Sequence, residues 1–248
     1  MSPPSHAFTA NLLLRALGDP DLALLQPHLE RVPLERERRL VVPGEPIAHV
    51  YFLEGGVASI TANTAEHGRT EVGIFGREGM SGTDVLLGAD RSPHETFMQV
   101  GGASGLRIGA ARLVEATERS ATLRAVLLRH VQTLMVQSGQ SAMVNAHQRM
   151  EARLARWLLM CHDRADGDEL PLTHEFMGMM IAAQRTGVTV ALHIMEGAGM
   201  IRSKRGHVIV RDREGLGELA GDGYGGPEAE YRRLIGPFGR SPPLPAAA

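Results

Sequence analysis

The chain contains one cysteine, one lysine and no long apolar run. The lone Cys161 excludes an internal disulfide and a four-cysteine iron–sulfur cluster, and it fits a reducing compartment. No run reaches the roughly 20 apolar residues of a membrane-spanning helix. The first ten residues lack the basic start and apolar core of a secretory signal. The expectation is a cytoplasmic protein with no membrane partner. A net charge of −2 excludes bulk electrostatic attraction to nucleic acid, though not a local basic face. Signals for an enzyme are also missing. The eleven histidines are scattered, and Cys161-His162 has no further ligands nearby. Gly101–Gly105 is too short for a phosphate loop and reads as a joint between strands. Phe75–Gly82 matches a dinucleotide fingerprint only loosely, with no helix after it. No catalytic residue, metal or cofactor is expected.

The most informative stretch is Leu172–Val210. Thr173 can cap a short helix with Phe176, Met177, Met180 and Ile181 on its apolar side. Ala182 and Ala183 are small enough for a tight turn. A second helix follows, with Val188, Ala191, Leu192 and Met195 at helical spacing and Arg185, Thr186, Thr189 and His193 outward. Gly197 and Gly199 end it. Arg202–Val210 reads as a hairpin turning at Gly206. Helix, tight turn, helix and hairpin make a winged helix-turn-helix, which lays its second helix in the DNA major groove. The lone Lys204 sits in the hairpin beside Arg202 and Arg205. From Arg202 to Arg213 there are five basic residues and one acid. A helical pair capped by a hairpin, with no nucleic-acid role, is the alternative at this point.

Upstream, Asn11–Leu17 and Asp21–Leu29 read as short amphipathic helices and Arg31–Arg39 as a solvated charged segment. Short β-rich runs follow at 40–42, 50–53, 57–61, 70–75, 97–100 and 106–108, which indicates a sandwich or barrel. Ala110–Glu118 reads as a short helix. Ser120 can cap a long one running from Leu123 towards Asn145. On it Leu123, Leu127, Val131, Leu134, Ser138, Ser141 and Asn145 trace a seam. That seam suits either packing on the β-roll of the same chain or a dimer contact, and its length favours the dimer. Arg149–Cys161 is a further helix, with Met150, Leu154, Trp157 and Leu158 on one face. Asp163–Glu169 is an acidic loop. After Val210 the chain turns polar and glycine-rich. Pro227 can start a helix over Glu228–Ile235, and Tyr224 and Tyr231 are candidates for docking back on the domain. Ser241–Ala248 reads as disordered.

The 172–210 stretch resembles the DNA-binding domain of the Crp/Fnr family of bacterial transcription regulators. Pro43-Gly44-Glu45, Tyr51–Val57 and Gly79-Met-Ser-Gly82 resemble the strands and glycines of that family's cyclic-nucleotide-binding jelly roll. The resemblance covers roughly Asp21 to Glu214. It implies an α+β fold: an N-terminal cyclic-nucleotide-binding-type β-roll over 1–119, a long dimerisation helix over 120–147, a C-terminal winged helix-turn-helix over 148–216, and a tail over 217–248. The implied partners are double-stranded DNA with an inverted-repeat operator, a second copy of the chain, and RNA polymerase as a further candidate.

Residue by residue, the resemblance makes Arg185 the reader of a guanine. Gln184 pairs with adenine or phosphate, and Thr186 and Thr189 touch a thymine methyl or phosphate. Arg202, Lys204, Arg205 and His207 are phosphate contacts. The chain departs from the cyclic-AMP-receptor pattern at Thr186, where a glutamate is usual, and at Val190, where a second arginine is usual. Its operator should therefore differ. In the roll, Gly82 is followed by Thr83 and Asp84 where cyclic-AMP binders have a glutamate. The expected arginine falls near Pro93 or His94, since Arg91-Ser92 comes early, and Glu95 there would repel a phosphate. The effector-pocket candidates are Gly82, Thr83, Asp84, His94, Glu95, Thr96 and Ser138. They disfavour cyclic AMP in its usual pose and leave a solvated loop, a self-filled pocket or a different effector. A haem-sensing member, with His94, His67 or Cys161 as ligand, and a β-roll interaction module that does not bind DNA are the alternatives.

Overall fold

The computed structural model describes residues 8–64 and 68–240. The expected disorder of Ser241–Ala248 and the haem candidate His67 fall outside them. Two compact units are formed: residues 1–63 with 74–132, and residues 64–73 with 133–248.

The first unit begins with helices α1 (Leu12–Arg15) and α2 (Asp19–Leu25) and a 3-10 turn at Gln26–His28. Strands β1 (Glu30–Leu34), β2 (Arg39–Val41), β3 (His49–Leu53), β4 (Val57–Thr64), β5 (Gly68–Phe75, of which 68–73 belong to the second unit), β6 (Glu95–Val100) and β7 (Gly102–Gly109) follow. They form two sheets, ordered β1-β7-β3 and β2-β6-β4-β5. Val32, Leu34, Tyr51 and Leu53 from one sheet meet Leu40, Ala58, Phe75 and Met98 from the other in one core. Strands β1 and β3 thus each give residues two apart to the space between the sheets, as a β-sandwich requires.

Two readings need correction here. Strand β1 (Glu30–Leu34) overlaps the segment 31–39 expected to be solvated, because Val32 and Leu34 two apart face the core. Gly102–Gly105 belongs to β7 rather than to a connection.

Helices α3 (Ala110–Arg119) and α4 (Ala121–His147) come next, with the Ser120 hydroxyl accepting from Leu123 N–H at 3.2 Å as expected of a cap. The seam on α4 is corrected. Leu123, Leu127 and Val131 are buried within their own chain. On the same side, His130 is buried and its Nε2 accepts from the Met80 backbone N–H at 3.3 Å. Leu134 and Ser141 are half-buried, and Ser138 donates to the Val72 carbonyl. The apolar period is real, but it marks the face turned to the chain's own core. The opposite face carries exposed Leu128, Gln132, Met135, Gly139, Ala142, Met143 and Ala146.

The second unit contains α5 (Met150–His162), the two-residue β8 (Glu169–Leu170), α6 (His174–Met180), α7 (Arg185–Gly197), β9 (Ile201–Lys204), β10 (His207–Val210), α8 (Arg213–Ala220) and α9 (Gly226–Leu234). The three strands form a sheet ordered β8-β10-β9. Trp157 is buried on α5, and its indole N–H donates to Glu71 Oε1 at 2.7 Å. The segment after Val210 is not a loose tail. Asp212 caps α8 through Gly215 N–H. Buried Asp163 accepts from Arg213 at 2.6 Å and from the Tyr224 hydroxyl at 2.5 Å. Tyr231 is buried against Phe238. Helix α8 crosses the boundary placed after residue 216.

Candidate nucleic-acid interface

Thr173 caps α6 by accepting from Phe176 N–H, and Met177, Met180 and Ile181 are buried beneath it. The turn that follows needs two accommodations. Ala182 takes a positive φ of 51°. The chain also doubles back against Gly178, where a Cβ would lie 2.8 Å from the Ala183 carbonyl oxygen. Arg153 on α5 donates to the Ile181 carbonyl, which holds the end of α6 in place. Val188, Ala191, Leu192 and Met195 bury one side of α7, as their spacing predicts. Gln184, Arg185, Thr186, Val190 and His193 remain exposed.

The hairpin β9–β10 turns at Arg205-Gly206, with His207 opposite Lys204. Arg202, Lys204 and Arg205 are exposed. Arg185, Lys204, Arg205, His174 and His193 line a groove of about 420 Å³ between α7 and the wing, together with Glu175 and Glu196. Glu196 is partly committed to structure, since its carboxylate accepts from Ser203 N–H at 3.0 Å. His207 is half-buried, with Nε2 3.9 Å from Glu169, so it is drawn towards that carboxylate on the neighbouring strand.

His174 is the residue that sequence reasoning missed. Its Nδ1 lies 3.1 Å from Thr189 Oγ1 and its Nε2 lies 3.3 Å from Ser203 Oγ. One imidazole thus ties α7 to β9. Burial, then the positive charge of Arg185 beside it, holds its pKa below the usual value, so it is neutral near pH 7. The Thr189 hydroxyl donates to the Arg185 carbonyl at 3.0 Å and has His174 as its second partner. It is therefore occupied inside the protein, which leaves only its methyl uncommitted. No pattern in the sequence marks His174, because its partners come from a helix and a strand 15 and 29 residues away.

The effector-pocket candidates fall on several elements. Gly82, at a φ of 64°, opens a 3-10 turn over Thr83–Leu87, where Thr83 and Asp84 are half-buried. Glu95 and Thr96 are buried at the start of β6. Glu95 is thus no solvated loop residue, and its carboxylate pairs with Arg39 at 2.9 Å. His94 is half-buried, with Nδ1 enclosed and unpartnered. Ser138 belongs to the second unit, as does Cys161, buried in α5. No described helix is long and apolar enough to cross a membrane.

Residues 152–219 match the model of the Crp-like helix-turn-helix domain. No curated protein matches the chain. Among solved structures it is similar to a transcriptional regulator assigned to the crp/fnr family from Eubacterium rectale, at 16% identity and a TM-score of 0.65, covering 84% of this chain and 97% of that one. It is also similar to the c-di-GMP-responsive global regulator CLP of Xanthomonas campestris, at 16% identity and a TM-score of 0.62, covering 78% of this chain and 99% of that one. A third is a CRP-family transcriptional regulator from Thermus thermophilus, at 20% identity and a TM-score of 0.62, covering 78% of this chain and 97% of that one. The chain has the fold of the Crp/Fnr transcription regulators, with a cyclic-nucleotide-binding-like β-roll and, over residues 152–219, a Crp-like helix-turn-helix domain.

Proposed function

We propose that this chain is a sequence-specific DNA-binding transcription regulator, not an enzyme, that acts in the cytoplasm as a homodimer on an inverted-repeat operator, with RNA polymerase as a further partner. The observation that carries the reading is the juxtaposition of Arg185 with Lys204 and Arg205 around the groove between α7 and the wing. In a chain of net charge −2, Arg185, Lys204 and Arg205 still meet around an element pair that fits a major groove and its phosphate borders. Arg185, at the start of α7, is placed to meet a guanine edge through two donors. Arg202, Lys204 and Arg205 supply phosphate contacts, and Gln184 and Thr186 remain free for bases or backbone.

The exposed stripe on α4 supports the dimer. Leu128, Gln132, Met135, Gly139, Ala142 and Ala146 alternate at four- and three-residue steps, which is the coiled-coil seam. A second copy of this helix covers the stripe, and the small residues at 139, 142 and 146 let the two helices approach closely. The β-roll senses an effector other than cyclic AMP in its usual pose, or has lost one. Thr83 stands in place of the ribose-binding glutamate, and the buried Glu95 beside the expected phosphate site already holds Arg39.

The test is Arg185→Ala, with binding measured on a selected operator and on random duplex. A bidentate guanine contact predicts a loss of about 1–3 kcal/mol on the operator alone. Equal loss on both duplexes would make Arg185 a phosphate contact. Absence of any binding by the parent chain would overturn the function.

A further inference from the structure

The outward face of α7 has an apolar centre. At about 100° per residue, the buried residues Val188, Ala191, Leu192 and Met195 cluster around one direction. By the same rotation, Thr186, Val190 and His193 point within about 30° of the opposite one. Arg185 and Thr189 lie to the side of that strip, on the edge that borders the groove with the wing. The side chain projecting most directly away from the protein core, in the second turn of the helix, is therefore Val190. It is 57% exposed. A large aliphatic group left in water at the middle of a polar, cation-flanked surface calls for a partner with an apolar feature at that point.

The geometry points to Val190 as a specificity-determining residue that packs on the C5 methyl of a thymine. This rests on the DNA reading above and adds the base class that the helix selects. In the major groove the thymine methyl is the apolar feature, and short aliphatic side chains read it. Recognition helices place their N-terminal residues against the base edges. Val190, sixth in α7, falls within that zone, whereas Ile194, also exposed, lies a turn further on. The Thr186 methyl stands one turn before Val190 on the same strip, about 6 Å away along the axis, or just under two base-pair steps. Thr189 does not share the role, because at about 100° per residue it lies beside that strip rather than on it, on the edge where it meets His174. Arg185 precedes Val190 by five residues, about 7.5 Å along the axis or just over two base-pair steps, so the half-site should hold a fixed A·T pair about two base pairs from the guanine read by Arg185, with its thymine methyl against Val190.

The experiment begins with selection of the operator from random duplex by the full chain. Each thymine of the half-site is then replaced singly by deoxyuridine, which removes the methyl and keeps the pairing. At one position near the Arg185 guanine, deoxyuridine should weaken binding of the parent chain about fourfold, the value of one buried methyl-sized group. The same replacement should leave Val190→Ala unchanged, and Val190→Ala on the thymine operator should bind like the parent on the deoxyuridine one. Val190→Thr, which keeps the shape and one methyl, should fall between them. Val190 is more than half exposed and lies outside the buried set of α7, so all three proteins should melt within a few degrees of one another. If deoxyuridine is tolerated at every position, or Val190→Ala remains as sensitive to it as the parent, the proposal is overturned. If no motif is selected at all, the DNA reading beneath it falls too, and that result is distinct from selection of a motif without methyl dependence.

Discussion

Replacing Gly178 by alanine sets two effects of opposite sign against each other. In an ordinary helix interior the change gains about 0.5–1 kcal/mol, because alanine loses less backbone freedom on folding. At Gly178 the new methyl carbon would lie 2.8 Å from the Ala183 carbonyl oxygen, and 3.6 and 3.7 Å from Arg185 N and Cα. The first of these contacts is too close, so the turn must move. It is held there by the Ala183 N–H, which donates to the Gly178 carbonyl at 2.8 Å. Forcing an extra carbon into a packed site costs about 1–3 kcal/mol. The net expectation is a loss of about 0.5–2 kcal/mol, with the start of α7 displaced. Trp157, the only tryptophan and buried in the same unit, reports the melt by fluorescence. The midpoint should fall by several degrees. Affinity for operator DNA should fall more than affinity for random duplex, because the register of Arg185 shifts. A variant that melts higher than the parent would show that the turn has room to spare and would refute the packing argument.

Other perturbations test the rest of the second unit and the long helix. Arg213→Leu leaves the buried Asp163 carboxylate with Tyr224 but without its cation. The cost should approach the 3–5 kcal/mol of a broken buried pair, at about 3 kcal/mol because Arg213 itself is partly exposed. A Trp157 melt within about 1 kcal/mol of the parent would contradict that. His162 lies between Arg213 at 3.0 Å and Arg240 at 2.9 Å. Burial lowers its pKa, the Asp168 hydrogen bond opposes this, and the two arginines lower it further. The unfolded chain therefore takes up this proton near pH 6.5 while the folded one still resists it, so stability should fall as pH drops below about 6.5. His162→Gln should flatten that slope in melts run from about pH 7.5 to 5.5. An unchanged slope would remove His162 as its source. On α4, Met135 is 64% exposed at the centre of the outward stripe. Met135→Glu should turn a dimer into a monomer by sedimentation, whereas Leu127→Glu should unfold the roll. If both variants sediment as the parent does, that face is not the contact.

Periodic elements were legible in the sequence. The cap at Thr173, the apolar spacing of Val188 to Met195 and the turn at Gly206 each express a local rule that tertiary contacts did not override. The strand runs from Leu40 to Ile108 were legible for the same reason. Strand β1 was hidden because charged Glu30, Arg31 and Glu35 surround its two inward residues. Helix α8 was hidden by Gly215 and Gly217, which lower helix propensity at positions where Asp212 and packing on α5 restore it. The seam on α4 shows a limit of a different kind. The helix has two stripes at the same spacing, and the more apolar one belongs to the chain's own core. His174 depends on Thr189 and Ser203, distant in sequence, and no local pattern announces it, whereas Pro227 and the two tyrosines did point to the folded tail.

The most direct test of the central claim is a selection from genomic fragments by the purified full chain, followed by footprinting of the enriched sites. The account predicts one inverted-repeat motif, with its half-sites centred about one helical turn, or roughly 34–36 Å, apart, and its enrichment lost in Arg185→Ala. Enrichment of no sequence over random duplex, with or without cell extract as a source of effector, would contradict it and leave the β-roll as an interaction module with a helical domain used for docking.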